Sequence, residues 1–98
     1  MATIKTKGMP REYTETLMCL VTSLEMQVYG EVTVFYKEQD DGFSGRIANR
    51  GVIFFFTICE VGEQMLNGVS GQAMATQVIA NYRKFLPTRF IKEDSNNV

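Results

Sequence analysis

The chain has 98 residues, with 10 Lys and Arg side chains, 11 Asp and Glu side chains and no histidine, so its formal net charge is −1. This balance argues against binding to nucleic acid or to an anionic membrane through charge alone. Without histidine the chain lacks Ser-His and Cys-His catalytic arrangements and imidazole ligands for zinc, so we expect no enzyme, no metal site and no cofactor.

The length suits a single domain, which we predict over residues 10–92, after a flexible lead or edge strand at 1–9 and before a disordered tail at 93–98. No apolar run approaches the roughly 20 residues that cross a bilayer, and the first residues lack the apolar core of a secretory signal. We therefore expect a cytoplasmic protein. In that compartment Cys19 and Cys59 are expected to be buried, reduced thiols.

The first predicted element is a helix over about residues 10–27. Pro10 suits its first turn and Gly30 lies where the chain should leave it. Its apolar residues follow the spacing of one helical face. They are Tyr13, Leu17, Leu20, Val21, Leu24 and Val28.

Three strands should follow as an antiparallel meander. Residues 31–38 and 43–48 alternate as strands do, and Asp41-Gly42 between them is typical of a hairpin turn. A second turn at 49–51 leads into residues 52–59, which are uncharged and carry large apolar side chains on both parities. We interpret this last segment as the central strand of the sheet, needing cover on both faces.

The remaining segments predict a second helix and leave one region open. Three glycines interrupt residues 60–71, where either a short strand near 63–66 or a single helical turn fits. Ser70 could cap a helix that ends before Pro87. Phe90 and Ile91 either add an edge strand or pack under the sheet.

The predicted fold is a two-layer α+β sandwich, with an antiparallel sheet of three to four strands and two helices in the order α-β-β-β-α. Edge strands at both ends would change this order, and the alternative is the ferredoxin-like plan β-α-β-β-α-β.

The alternation of the strands predicts which sheet face meets the helices. The more apolar parity should form the core: Val32, Val34, Tyr36, Phe43, Ile47, Val52, Phe54, Phe56 and Ile58. The other parity would leave Phe35, Ile53 and Phe55 in water, where each forgoes about 1.5–3 kcal/mol of burial. A patch of this kind usually marks a contact site.

We therefore predict a non-catalytic adaptor, regulator or inhibitor that forms a homodimer through this face, or binds another protein there. Phe35, Ile53 and Phe55 would form its centre. Its rim would contain Thr33, Lys37, Arg46 and Thr57. The competing interpretation is that residues 60–69 and the C-terminal segment cover the same face.

Rings beside Lys and Arg on a sheet also suit single-stranded RNA. Arg50-Gly51-Val52-Ile53-Phe54 resembles the strand signature of RNA-recognition motifs, although it departs from the pattern at Val52, Ile53 and Thr57. That resemblance implies a single-stranded RNA-binding domain with Phe54 on the open face, against the core assignment made from alternation.

Two further resemblances are to RNA-binding families. The order helix, three strands, helix is similar to that of double-stranded RNA-binding domains, but residues 71–76 lack the lysine cluster with which those domains bind phosphates. Gly68-Val69-Ser70-Gly71 resembles the Gly-x-x-Gly loop of KH domains, without a basic residue in the loop.

Two other groups of residues have structural explanations. Asp40 and Asp41 could ligate a hard cation, but neighbouring Asp residues in a hairpin usually form the turn. Met18 and Met26 lie off the main helical stripe and could belong to an adaptable binding surface, whereas core filling is the usual role of methionine.

Overall fold

A four-stranded sheet and three α-helices form an α+β fold, which is the fold class that the sequence predicted. The computed structural model describes residues 2–86. The strands are β1 (Ala2–Lys5), β2 (Glu31–Lys37), β3 (Gly42–Asn49) and β4 (Val52–Ile58). The helices are α1 (Thr14–Gln27), α2 (Val61–Leu66) and α3 (Gly71–Phe85), and short 3₁₀ turns occupy Arg11–Tyr13 and Glu38–Asp40.

The sheet has the order β1-β2-β3-β4 and is mixed rather than wholly antiparallel. The N-terminal edge strand exists, and it pairs parallel with β2. The meander from β2 to β4 is antiparallel, as predicted. Three consecutive strands separate α1 from α2, so the described residues do not follow the ferredoxin-like alternation.

Both predicted hairpin turns are present. Asp41 adopts a left-handed backbone conformation with φ 45° directly before β3, and Asp is one of the residues that tolerates this region. The second turn is tighter, because Asn49 pairs with Val52 across it. Its two central residues, Arg50 and Gly51, both have positive φ, as a two-residue hairpin of the I′ type requires.

The two long helices lie together on one side of the sheet and contact each other. Gly71 permits their close approach, because a Cβ at this position would meet the carbonyl oxygen of Thr16 in α1. Ser70 caps α3 as predicted, with its Oγ accepting a hydrogen bond from the Ala73 N–H at 3.1 Å. Among the helices of residues 2–86, none combines the length and the apolar character needed to cross a membrane.

The core lies between these helices and the face of the sheet that the alternation of apolar residues predicted. Its most completely buried large side chains include Phe43 from β3, Leu20 and Leu24 from α1, and Val61 from α2. Each predicted core residue of β2, β3 and β4 is buried or half-buried. The period of two in the strands therefore identified the correct face.

Several predictions require correction. Within residues 2–86, β4 pairs only with β3 and is an edge strand, not the central one. Of the alternatives for residues 60–71 the helical one is correct, since Val61–Leu66 forms α2. The C-terminal edge strand proposed for Phe90 and Ile91, and the tail predicted at 93–98, lie outside the described residues.

Candidate functional site

The face of the sheet opposite the helices carries the predicted contact residues. Cross-strand register places Phe35 opposite Ser44, Arg46 opposite Phe55, and Ser44 opposite Thr57. These pairs share one face because alternate residues of a strand point to the same side. We call this surface the open face. It consists of Thr3, Lys5, Glu31, Thr33, Phe35, Lys37, Ser44, Arg46, Ala48, Ile53, Phe55 and Thr57.

Three large apolar side chains on the open face are accessible to solvent. Phe55 is 70% exposed, Ile53 is 46% exposed and Phe35 is 38% exposed. Ile53 and Phe55 follow each other on the same side of β4, whereas Phe35 lies on β2, two strands away. The exposed apolar side chains therefore lie on β2 and β4, and Ser44 and Arg46 of β3 lie between them.

A hollow of about 310 Å³ lies on this side of the sheet, with Phe35 and Phe55 among the residues that line it. Ser44 belongs to the same lining and is 8% exposed, so its short side chain leaves the space between the rings open. Five of the seven predicted contact residues line the hollow: Thr33, Phe35, Arg46, Phe55 and Thr57. Lys37 and Ile53 lie on the same face outside the lining.

Charge is distributed unevenly along the open face. Glu31 begins β2 and Lys37 ends it, with both side chains on this face. Lys5 lies beside Phe35 through the parallel register of β1 and β2. Arg46 is the remaining cation and sits next to Phe55. One end of the face is thus acidic, and the other end is basic.

Residues 60–69 do not cover the open face, although the sequence left this alternative. They belong to the helical side, where Val61 is fully buried in the core and Met65 and Val69 pack against it. None of them lines the hollow. The other part of that alternative, the segment beyond residue 86, lies outside the described residues.

Phe54 is absent from the open face. Its ring centroid lies 5.4 Å from that of Tyr82 and 5.1 Å from that of Phe85, both in α3. The RNA-recognition-motif frame needs this ring for base stacking, so the central aromatic of that resemblance is not available.

A second cluster, which sequence reasoning missed, surrounds the Asp41 carboxylate. Oδ1 accepts hydrogen bonds from the hydroxyls of Tyr36 at 2.7 Å and Tyr13 at 2.8 Å. Oδ2 accepts from the Gly62 N–H at 3.1 Å and lies 3.0 Å from the Tyr13 hydroxyl. The Asp41 carbonyl also accepts from the Val61 N–H at 2.7 Å. The carboxylate therefore ties the β2–β3 turn to the start of α1 and the start of α2.

This bonding changes the acidity of all three side chains. The hydrogen bond from Tyr36 lowers the pKa of Asp41 most; burial opposes the shift, and the bonds from Tyr13 and Gly62 reinforce it. The bond to Asp41, followed by burial, raises the pKa of Tyr36 to about 12. Burial and the same carboxylate raise the pKa of Tyr13. Asp41 thus stays ionised and the two phenols stay neutral near pH 7.

The cluster is a structural clamp rather than a cation site. Both carboxylate oxygens accept hydrogen bonds from protein donors, which leaves little room for a metal ion. Within residues 2–86, no three His, Cys, Asp or Glu side chains lie close enough to hold a metal. Tyr36 is five positions from Asp41, but Tyr13 and Gly62 are 28 and 21 positions from it, so no local motif indicated the whole cluster.

The cysteines and methionines differ from the simplest expectation. Cys19 and Cys59 are free, as predicted, but both are exposed rather than buried. Cys19 lies on α1 beside Gly71 at the start of α3, and Cys59 follows the end of β4 and lines the groove that β4 forms with α2 and α3. Met18 and Met26 are 46% and 74% exposed on α1, so core filling does not describe them. The Gly-x-x-Gly segment is a cap, with Gly71 buried against α1.

Comparison with known proteins found no matching family model, no similar curated protein and no similar solved structure.

Proposed function

We propose that this protein is a non-catalytic protein–protein interaction domain that forms a homodimer through its open face. The observation that carries the proposal is the exposure of Phe35, Ile53 and Phe55 on one face, which no other element of residues 2–86 covers. Burying such a surface releases its water, and this is the main favourable term in protein association. An adaptor, a regulator or an inhibitor can act through a surface of this kind.

The charge distribution supports a second copy as the occupant. If two open faces stack with their strands antiparallel, the Glu31 end of one copy approaches the Lys37 end of the other. Stacked sheets pack about 10 Å apart with their strands within about 30° of alignment, as this arrangement needs. The hollow between Phe35 and Phe55 offers space for an apolar side chain of the second copy. The exposed free thiols suit the reducing cytoplasm, where we place the protein.

The proposal is tested by measuring the mass of the protein with light scattering over a wide range of concentration. Wild type should have at least twice the monomer mass of 11.1 kDa. Phe35→Glu should halve that mass, because it buries a charge in the stacked interface. Met26→Glu is the matched control, since Met26 is 74% exposed on the helical side and its replacement should leave the mass unchanged.

Two results would contradict the homodimer. One is a wild-type mass of 11.1 kDa at the highest concentration reached, with the circular dichroism of a folded protein. The other is an equal effect of both substitutions on the mass. Circular dichroism of each variant separates loss of association from loss of folding.

The alternative function is single-stranded RNA binding by the same face. The pairing of Phe55 with Arg46, and the position of Lys5 beside Phe35, favour it, because rings and cations together hold single strands. The helical-side position of Phe54 and the net charge of −1 oppose it. Here Phe35→Glu should remove copurified RNA, seen as a lower ratio of absorbance at the nucleic-acid and protein maxima, without changing the mass of the protein.

A further inference from the structure

The two edges of the sheet differ in their protection against pairing with another chain. Free edges expose backbone N–H and C=O groups, and natural proteins guard them with short strands, charges, prolines or bulges. Edge strand β1 has four residues and contains Lys5. Edge strand β4 has seven residues and contains no charge, proline or glycine. Its one-to-one register with β3 contains no bulge. Within residues 2–86 the edge of β4 therefore lacks the usual protection.

The space beside this edge is as neutral as the strand itself. A cavity of about 580 Å³ is lined by residues 54–58 of β4, by Cys59 directly after the strand, by Gln64 of α2 and by four residues of α3. The α3 residues in the lining are Met74, Gln77, Val78 and Asn81. None of the lining residues is charged, although charged residues make up 21% of the chain. An incoming strand that carried charge would lose hydration here without finding an opposite charge.

We propose that β4 pairs antiparallel with β4 of a second copy, centred on Phe55, so that two sheets join edge to edge. Among residues 2–86, β4 is the long, uncharged strand with an unpaired edge, and it matches the neutral groove that it borders. A second copy supplies this strand by two-fold symmetry, which is the commonest symmetry of protein dimers.

A two-fold axis at Phe55 gives a favourable set of cross-strand pairs. It places Phe55 opposite its own copy and Ile53 opposite Thr57 on the open face. On the helical side it places Phe54 opposite Phe56, so aromatic rings meet across the join. Aromatic and β-branched pairs of this kind stabilise antiparallel strands. No pair in this register brings like charges together.

This assembly is independent of the stacking of open faces. Pairing through β4 extends the sheet within its own plane, whereas stacking places the second copy above the open face, perpendicular to that plane. Phe35 is two strands away from the β4 edge, so its substitution leaves the edge intact. If both contacts form, wild type contains four copies, and Phe35→Glu is a dimer joined through β4.

The test uses charge placement in the full chain carrying Phe35→Glu. Adding Ile53→Lys and Thr57→Lys sets lysine opposite lysine twice across the proposed axis, which should give a monomer of 11.1 kDa. Adding Ile53→Lys and Thr57→Glu sets lysine opposite glutamate twice, which should restore the dimer. Both sets replace the same exposed residues, so a difference of about tenfold or more in the dissociation constant reports the pairing itself.

Three outcomes would overturn the edge-to-edge proposal. A Phe35→Glu variant that is already a monomer would mean that the edge does not bind a second copy, while the stacked contact would stand. A dimer that survives the lysine pair, or a lysine–glutamate pair that fails to restore it, would exclude the register centred on Phe55. If instead Phe35→Glu leaves the wild-type mass unchanged, the lysine pair lowers it and the lysine–glutamate pair restores it, the edge pairing holds and the homodimer stacked through Phe35 fails.

Discussion

Replacing Phe43 with alanine is expected to lower the free energy of unfolding by about 3–5 kcal/mol. Phe43 is the largest fully buried side chain among the described residues. Its ring meets those of Tyr13 and Tyr36 edge-on, with centroids 6.5 Å and 6.2 Å away. Removing it leaves a cavity where β2, β3 and the start of α1 converge. The loss is large against a typical stability of about 5–15 kcal/mol.

Urea unfolding followed by circular dichroism measures this loss, and Phe85→Ala is its matched control. Phe85 is 48% exposed, so the same chemical deletion there removes less buried surface and should cost clearly less. Equal changes in unfolding free energy for the two variants would mean that the ring of Phe43 is not at the centre of the core.

Replacing Asp41 with asparagine is expected to lower the free energy of unfolding by about 1–3 kcal/mol. Asparagine keeps the size of the side chain and tolerates the φ of 45° at this position. It removes the charged acceptor that serves the hydroxyls of Tyr13 and Tyr36 and the Gly62 N–H. The amide can replace only some of these bonds, because one of its two polar atoms donates.

The same variant should change how stability depends on pH. The folded-state pKa of Asp41 is lowered, so its contribution is present above the unfolded-state value of about 3.9 and is lost as pH falls through the folded value. The pKa of Tyr36 is raised to about 12, so its contribution is present below its ordinary value of 10.0 and is lost as pH rises towards 12.

Urea unfolding midpoints at a series of pH values test both effects: the loss of stability at low pH (the acid limb) and the loss at high pH (the alkaline limb). Asp41→Asn should flatten the acid limb relative to wild type, and Tyr36→Phe should flatten the alkaline limb. Acid limbs of equal slope in wild type and Asp41→Asn would show that the carboxylate is not held by the hydrogen bonds described.

Local periodicity was sufficient to predict most of the fold. The three-to-four spacing from Tyr13 to Leu24 identified α1, and the alternation in residues 31–48 identified the buried face of β2 and β3. These signals depend on neighbouring residues of one element facing the same environment. The predicted contact residues share one face for the same reason.

The place of β4 in the sheet could not be predicted in this way. Because its apolar side chains point to both faces, we interpreted it as a central strand that is covered on both sides. Strand order depends on contacts between distant segments, and Phe54 is shielded by α3 while Phe55 is 70% exposed. A strand with one buried and one open apolar face has the same composition as a central strand.

The Asp41 clamp escaped prediction for a related reason. Tyr13 and Asp41 are 28 positions apart, and Asp41 and Gly62 are 21 positions apart. Only the fold brings them together. The clamp bears on function through position, because it fixes the turn beside β4 and α2: the Glu60 N–H bonds to the Asp40 carbonyl at 3.1 Å. The clamp thereby holds in place the end of the open face that carries Lys37 and Thr57.

Hydroxyl-radical footprinting as a function of protein concentration tests the central claim most directly, because it reports the solvent exposure of individual side chains. If open faces stack, the labelling of Phe35 and Phe55 should fall as concentration rises, while Leu66 and Met26, 88% and 74% exposed on the helical side, stay reactive. Constant labelling of Phe35 and Phe55 up to the highest concentration, together with a monomeric mass, would contradict the account.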